Sequence, residues 1–173
     1  MFGQAHSPAL TLETTSIQNR LAGDACLSYR IGESLQTMRS YTLGAEARFS
    51  ECLMMLDTSS TGPEKGTTSS FRVSLSQFDA ARTTVRDGLQ VIPNSFTAGD
   101  LPLFSIRLVT TKQQELIEVE TETIENGGTT QETHNASELD ILVKSKEAAT
   151  QLADAFRRAI TLCATSATNK SQE

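Results

Sequence analysis

The chain has 173 residues, which is long enough for one domain to bury a hydrophobic core without help from a metal. Its net charge of −6 does not favour broad electrostatic binding to nucleic acid or anionic lipid, because such binding depends on clustered Lys and Arg. No stretch approaches the roughly 20 consecutive apolar residues that span a bilayer, so we expect neither a nucleic-acid partner nor membrane insertion.

The first predicted element is a short helix near the N-terminus. Residues 1–9 show no periodic apolar pattern, and we expect them to be disordered. Thr11 is a residue type that caps helix N-termini, and Gly23 is typical of the position that follows a helix. Between these two residues, four side chains share one helical face: Leu10, Thr14, Ile17 and Leu21. The narrow stripe predicts a helix that docks on a core and does not stand alone.

After residue 25 the apolar pattern becomes that of β-strands. The mostly apolar segment ECLMMLDTSS, residues 51–60, predicts a central and well-buried strand. The following segment TGPEKGTT, residues 61–68, has the Gly and Pro of a loop. Alternation of apolar residues predicts three further strands: a loose one over residues 26–31, and two others over residues 37–49 and 69–78.

The second half of the chain begins with a short predicted strand at Thr83–Arg86 and a long irregular connection over residues 87–102. Two alternating segments, 103–111 and 115–125, follow on either side of the polar turn TKQQ, and they predict a hairpin. Its outer face is strongly acidic, with Glu118, Glu120 and Glu122 in a row. We expect the polar segment 131–138 to be mobile and residues 139–143 to form the last strand.

The segment SKEAATQLADAFRRAITLC, residues 145–163, predicts one amphipathic helix. Ser145 is a good N-cap, and Glu147 suits the positive end of the helix dipole. At 100° per residue, six small or apolar side chains fall on one face: Ala149, Leu152, Ala153, Phe156, Ile160 and Cys163. We expect this face to cover the open end of a curved sheet.

These elements predict an α+β fold in a single domain over residues 10–164, followed by a disordered tail at 165–173. The sheet is expected to be a strongly curved antiparallel β-sheet or a partly open barrel of about seven or eight strands. The short N-terminal helix would dock on this sheet, and the C-terminal helix would cap it.

The order of strands followed by a final helix resembles the pleckstrin-homology-like superfold. Three segments resemble, more narrowly, a group of uncharacterised bacterial proteins with that fold: LETTSIQNRL, FRVSLSQFDAARTTVR and EAATQLADAFRRAITLC. In that group a Leu-rich strand edge, an Asp-containing turn and a short Val-bearing strand follow one another, as Leu75, Asp79 and Val85 do here. The chain departs from the group in lacking a long insert after the first helix and in having its own acidic hairpin.

The resemblance also bears on the three cysteines, because a strand Cys and a helix-end Cys often occur together in that group. Cys52 and Cys163 match those positions, and the resemblance therefore implies a disulfide between them if the protein is exported. A pairing of Cys26 with Cys163 and three reduced, buried thiols remain as alternatives. We expect a periplasmic or secreted protein rather than a cytoplasmic one, with any signal peptide already removed from the MFGQAHSPALTLE start.

The sequence offers no catalytic motif and no cofactor-binding motif. Gly-rich phosphate loops, GxSxG and HExxH are missing, and the cysteines lack the spacing of a zinc site. The Glu118, Glu120 and Glu122 row could bind a cation, but a solvated sheet face that discourages aggregation is the favoured interpretation. Arg157 and Arg158 are likewise expected to lie on a solvated helix face. We therefore predict no enzyme, no cofactor and no catalytic or metal-binding residues.

The predicted function is that of a non-catalytic binding or scaffold module with a protein or peptide partner. Proteins of the pleckstrin-homology-like fold often add a peptide strand beside the last helix, and the edge strand here would be Thr83–Arg86. Phosphoinositide binding is not expected, because the loop GESLQ between the first two strands has no Lys or Arg. The alternative is a carrier of small apolar ligands with a lipocalin-like cavity. A third class, a metal enzyme using the acidic strand, stays open to test.

Overall fold

A computed structural model describes residues 7–170 of the chain. Along the described chain, ten β-strands lie between an N-terminal helix, α1, and a C-terminal helix, α2. The helices are α1 (Pro8–Asp24) and α2 (Lys146–Lys170). The strands are β1 (Leu27–Gly32), β2 (Arg39–Ser50), β3 (Leu53–Thr61), β4 (Lys65–Ser74), β5 (Thr84–Asp87), β6 (Phe96–Gly99), β7 (Phe104–Val109), β8 (Ile117–Glu125), β9 (Gly128–Ala136) and β10 (Glu138–Val143).

The strands form two antiparallel sheets, and the α+β class is confirmed. Seven strands pair in the order β6-β1-β2-β3-β4-β8-β9, and three pair in the order β10-β7-β5. The prediction of a strongly curved sheet or partly open barrel is wrong, because the seven-stranded sheet is neither closed nor curled. The hairpin of β8 and β9 extends this sheet outward from β4, and no strand pairing joins its two edges, β6 and β9.

The predicted hairpin between the segments 103–111 and 115–125 is also wrong. β7 pairs with β5 and β10, whereas β8 pairs with β4 and β9, so the two segments belong to different sheets. A short 3₁₀ turn at Thr111–Gln113 separates them, and Lys112 within it has a positive φ of 55°. The Thr110 hydroxyl donates to the Gln114 carbonyl oxygen at 2.5 Å, which helps to hold this turn. The chain is thereby redirected from one sheet to the other.

Two strands lie where the sequence predicts irregular chain. β6 lies within the predicted connection 87–102 and pairs with β1. β9 covers most of the segment expected to be mobile, and it pairs with β8 along its whole length. Asn126 and Gly127, both with positive φ, form the two-residue turn that sets this register. Neither strand has a fully buried side chain, so neither sequence shows the sustained alternation of apolar residues from which strands are predicted.

The core lies between the helices and the inner part of the sheets. The predicted face of α2 is confirmed, since all six of its residues are buried, with Phe156 among the largest fully buried side chains. Along α1, Thr14, Ile17 and Leu21 are buried and Leu10 packs partly against the core, also as predicted. α2 packs on α1, where Arg158 donates to Glu13 at 2.8 Å and Arg20 hydrogen-bonds to Gln151.

Both helices extend beyond their predicted bounds. α1 begins at Pro8 and not after Thr11, because Ser7 is the N-cap and its hydroxyl accepts from the Leu10 amide at 3.4 Å. α2 continues through residues 165–170 of the expected disordered tail. The expected disorder of residues 1–6 and 171–173 lies outside the described residues. Neither α1 nor α2 is long and apolar enough to cross a membrane.

Candidate functional site

The first candidate site is the free edge of β5, which is the outer strand of the three-stranded sheet. β7 pairs with one side of β5, from Thr84 opposite Arg107 to Asp87 opposite Phe104. The register continues to Gly88, whose amide donates to the Leu103 carbonyl at 2.8 Å. Because backbone groups alternate in direction along an antiparallel strand, the amides and carbonyls of Val85 and Asp87 point away from β7. The edge therefore offers donors and acceptors to an added strand.

The chain reaches this edge through two short turns. A 3₁₀ turn at Leu75–Gln77 is followed by a second one at Ala80–Arg82, which Asp79 caps by accepting from the Ala81 amide at 3.0 Å. Between them, Phe78 is buried and bridges to Thr110 at the end of β7. These contacts fix the start of β5 against the core.

Helix α2 lies beside β5, and Arg157 joins the two elements. Its guanidinium donates to the Thr83 carbonyl oxygen at 2.6 Å and to the Asp154 carboxylate at 2.6 Å. Thr83 is buried, and Val85 packs partly against the core. The hydrogen bond from Arg157 therefore holds α2 beside β5, and the unpaired backbone groups of β5 lie next to this helix.

Two cations, Arg82 and Arg86, lie exposed at this edge. Neither forms an ion pair with another described residue, whereas Arg107, Arg157 and Arg158 all do. The hydrogen bond that Arg158 donates to the Glu13 carboxylate is the main cause of the raised pKa of Arg158. In a chain of net charge −6, Arg82 and Arg86 place two cations at the β5 edge, beside the single carboxylate that Asp87 contributes to the strand.

The second candidate site is an open cleft of about 960 Å³ between α1, the turn from β2 to β3, and the end of α2. Its wall contains the disulfide of Cys52 and Cys163, with Leu10 and Phe49 as apolar neighbours. Hydroxyl and amide side chains complete the lining, including Thr11, Thr15, Gln18 and Ser76. The side-chain amide nitrogen of Gln18 already has a hydrogen-bond partner, because it donates to the Ala47 carbonyl oxygen at 3.0 Å.

The disulfide joins the two cysteines that the family resemblance implied. Cys52 lies in the turn between β2 and β3, Cys163 lies on α2, and their Cα atoms are 5.7 Å apart. The alternative pairing of Cys26 with Cys163 is wrong, and so is the alternative of three reduced, buried thiols, because Cys26 is free and exposed. The bond links the turn between β2 and β3 to the last helix across 111 residues.

The charged groups singled out in the sequence are not brought together into a site. Glu118 and Glu120 are exposed on one face of β8, and Glu122 accepts a hydrogen bond from Gln131 at 3.0 Å. Within residues 7–170, no group of three or more His, Cys, Asp or Glu side chains is arranged to hold a metal ion. Arg157 and Arg158 diverge, one to β5 and the other to α1, so they form no common anion site.

Comparison with protein-family models, with curated proteins and with solved structures found no match to this chain.

Proposed function

We propose that this protein is a non-catalytic binding or scaffold module that adds an extended peptide to the edge of β5, beside α2. The observation that carries the proposal is the unpaired backbone of a short edge strand held next to a helix by Arg157. Strand addition supplies main-chain hydrogen bonds for affinity, and neighbouring side chains supply specificity.

The arrangement of elements supports a pleckstrin-homology-like origin for this site. The first four strands form a meander, β5, β7 and β10 form a second sheet, and a helix follows the last strand. In that interpretation β6 and the β8–β9 hairpin are additions to the shared pattern. The proposed peptide edge then corresponds to the place where proteins of that fold often bind peptides.

Charge supports a peptide that contains carboxylates. Arg82 and Arg86 have no ion-pair partner among the described residues, while the chain as a whole is acidic. An acidic peptide would be attracted to this edge and repelled by most of the remaining surface. Selection from a displayed peptide library should therefore enrich Asp and Glu at alternate positions of an extended segment.

The proposal is tested with a proline at the edge. Asp87→Pro removes an amide donor that points away from β7, so it should leave the β7 pairing intact and weaken a selected peptide about tenfold relative to Asp87→Asn, which removes the same carboxylate and keeps the amide. Thr97→Pro on β6 is the matched control, since it alters an exposed edge strand of the other sheet. Equal affinities of both variants for the peptide, measured by calorimetry on folded protein, would count against the β5 edge.

A second candidate function rests on the cleft beside the disulfide. The sheet is not closed, so a small apolar ligand would not occupy a lipocalin-like barrel. The cleft of about 960 Å³ is of the size that small-molecule sites have, and its lining is partly apolar. Native mass spectrometry of gently purified protein tests this candidate, because a bound small molecule would add roughly a few hundred daltons to the mass of the chain. Thr15→Trp, which fills the cleft from α1, should abolish such an adduct.

A further inference from the structure

The outermost strand of the seven-stranded sheet, β9, is long, and no strand among residues 7–170 pairs with its outer side. It runs over nine residues, Gly128–Ala136, and every side chain except the half-buried Ala136 is exposed. Its pairing with β8 is continuous, from Ile117 opposite Ala136 to Glu125 opposite Gly128, with no bulge. One whole side of this strand therefore presents unpaired backbone groups.

The two edges of this sheet differ in how they are protected. Edge strands are normally kept from pairing by being short, by Pro or Lys, by bulges, or by a covering element. β6, at the opposite edge, has only four residues and ends at Gly99, whose φ is +84°. β9 has none of these devices, since it contains neither Lys nor Pro and has no bulge. Its length and regularity are those of a strand that pairs with another strand.

The turn before β9 determines which of its backbone groups are free. Asn126 and Gly127 have φ values of 52° and 75°, as a type I′ hairpin turn requires. Glu125 and Gly128 then close the turn as a hydrogen-bonded pair, and such pairs recur at every second residue. Glu132 and His134 consequently direct their backbone toward β8. Thr133, and every second residue from it along β9, directs its backbone N–H and C=O groups away from β8.

We propose that β9 pairs with β9 of a second copy of this chain, antiparallel across a two-fold axis at Thr133. In this register the outward backbone of Thr133 meets the same groups of the partner. Glu132 lies opposite His134 of the partner subunit, and the same pair recurs on the other side of the axis. Gln131 lies opposite Asn135 of the partner subunit, so amide faces amide.

Side-chain complementarity selects this register over its neighbours. An imidazole N–H can donate to a carboxylate, so each Glu132 gains a donor from the facing subunit. Shifting the axis to Glu132 would place two carboxylates directly opposite each other, which is unfavourable. Shifting it to His134 would face two imidazoles and leave Glu132 opposite Ala136. The central register therefore gives the carboxylate of Glu132 and the imidazole of His134 a partner each, and it joins two sheets into one.

The test is the association of the full chain, measured by sedimentation velocity over a concentration series at neutral pH. The wild-type chain should form a dimer. His134→Glu places a carboxylate opposite Glu132 twice per dimer and should raise the dimer Kd about tenfold or more. The double variant Glu132→Lys with His134→Glu restores an attractive pair and should return the Kd to the wild-type value or below it.

Two further variants distinguish the backbone from the charges. Thr133→Pro removes an outward amide that the β8 pairing does not use, so it should abolish the dimer in a folded protein. Thr42→Glu adds one carboxylate, as His134→Glu does, but on the exposed side of β2, and it should leave the Kd unchanged. A wild-type chain that is monomeric at every concentration overturns the proposal. A dimer also overturns the proposal if neither His134→Glu nor Thr133→Pro changes its Kd from the wild-type value.

Discussion

Strands β3, β4 and β8 are buried at one end and exposed at the other, and β9 lies beside their exposed part. In β3, Met54 and Leu56 are fully buried, but from Asp57 to Thr61 no side chain is buried. β8 changes in the same way after Val119. We call the parts in contact with α1 and α2 the covered half, and the ribbon of residues 57–61, 65–70, 121–125 and 128–135 the exposed half.

The two halves are held together by different forces. The covered half buries apolar side chains between sheet and helix, which is the dominant favourable term in folding. The exposed half has strand pairing and a row of hydroxyls, in which Ser69 and Thr121 are hydrogen-bonded at 3.0 Å. Such pairs contribute less than burial does. The chain thus concentrates its stability in one half and leaves the other as surface, and the following variants test this division.

The largest effect is expected from the disulfide, which belongs to the covered half. Replacing Cys52 and Cys163 by Ser removes a constraint across 111 residues and should lower the free energy of unfolding by about 5 kcal/mol. Chemical denaturation of the variant and of the oxidised wild-type chain measures the difference.

Cys26→Ser is the control for this change, since Cys26 is free and exposed and its loss should leave stability nearly unchanged. Alkylation of the denatured chain should modify one thiol before reduction and three after it. Three modified thiols without reduction would show that the bond is absent from the purified protein.

The next largest effect is expected at Phe156, the centre of the α2 face. Its side chain is fully buried between the helix and the sheets, so Phe156→Ala should cost about 4 kcal/mol through lost burial and the cavity that remains. The measurement is the denaturation midpoint. A cost below that of an exposed substitution such as Thr161→Ala would mean that the core is not organised around this helix.

The sharpest comparison is between two residues on one strand and one face, Val119 and Thr121. Val119 is 3% exposed in the covered half, and Val119→Ala should cost about 2 kcal/mol. Thr121 is half-buried in the exposed half, and Thr121→Ala should cost about 0.5 kcal/mol. Equal costs of the two substitutions would erase the distinction between the halves.

The sequence predicts the covered half better than the exposed half for the same physical reason. Burial imposes a period, and the face of α2 and the stripe on α1 could therefore be predicted residue by residue. β9 has no buried face, so nothing in its composition of Thr, Gln and Glu distinguishes it from a loop. The predicted hairpin over residues 103–125 is wrong because segments adjacent in sequence need not pair, and the turn at Lys112 sends these two into different sheets.

The candidate site was predicted only in part. The short strand at Thr83–Arg86 was placed within one residue of β5, because Val85 stands between polar neighbours after a turn. Its position as an edge strand beside the last helix came from the family resemblance. The bond from Arg157 to the Thr83 carbonyl spans 74 residues of chain, and no local pattern signals such a contact. The cleft depends equally on how α1, the β2–β3 turn and α2 meet.

The smallest expected effect on the free energy of unfolding concerns the N-cap residues of α1 and α2. Ser145 accepts from the Ala148 amide at 3.1 Å, where β10 passes into α2 and Ala148 is buried. Ser145→Ala should therefore cost about 1 kcal/mol, the usual value for a cap. Ser7 accepts over 3.4 Å at an exposed terminus, so Ser7→Ala should cost less, because the first turn of α1 can fray without exposing the core. Denaturation of both variants under identical conditions checks the order. A larger cost at Ser7 would mean that the start of α1, which lines the cleft, contributes more to the covered half than its burial indicates.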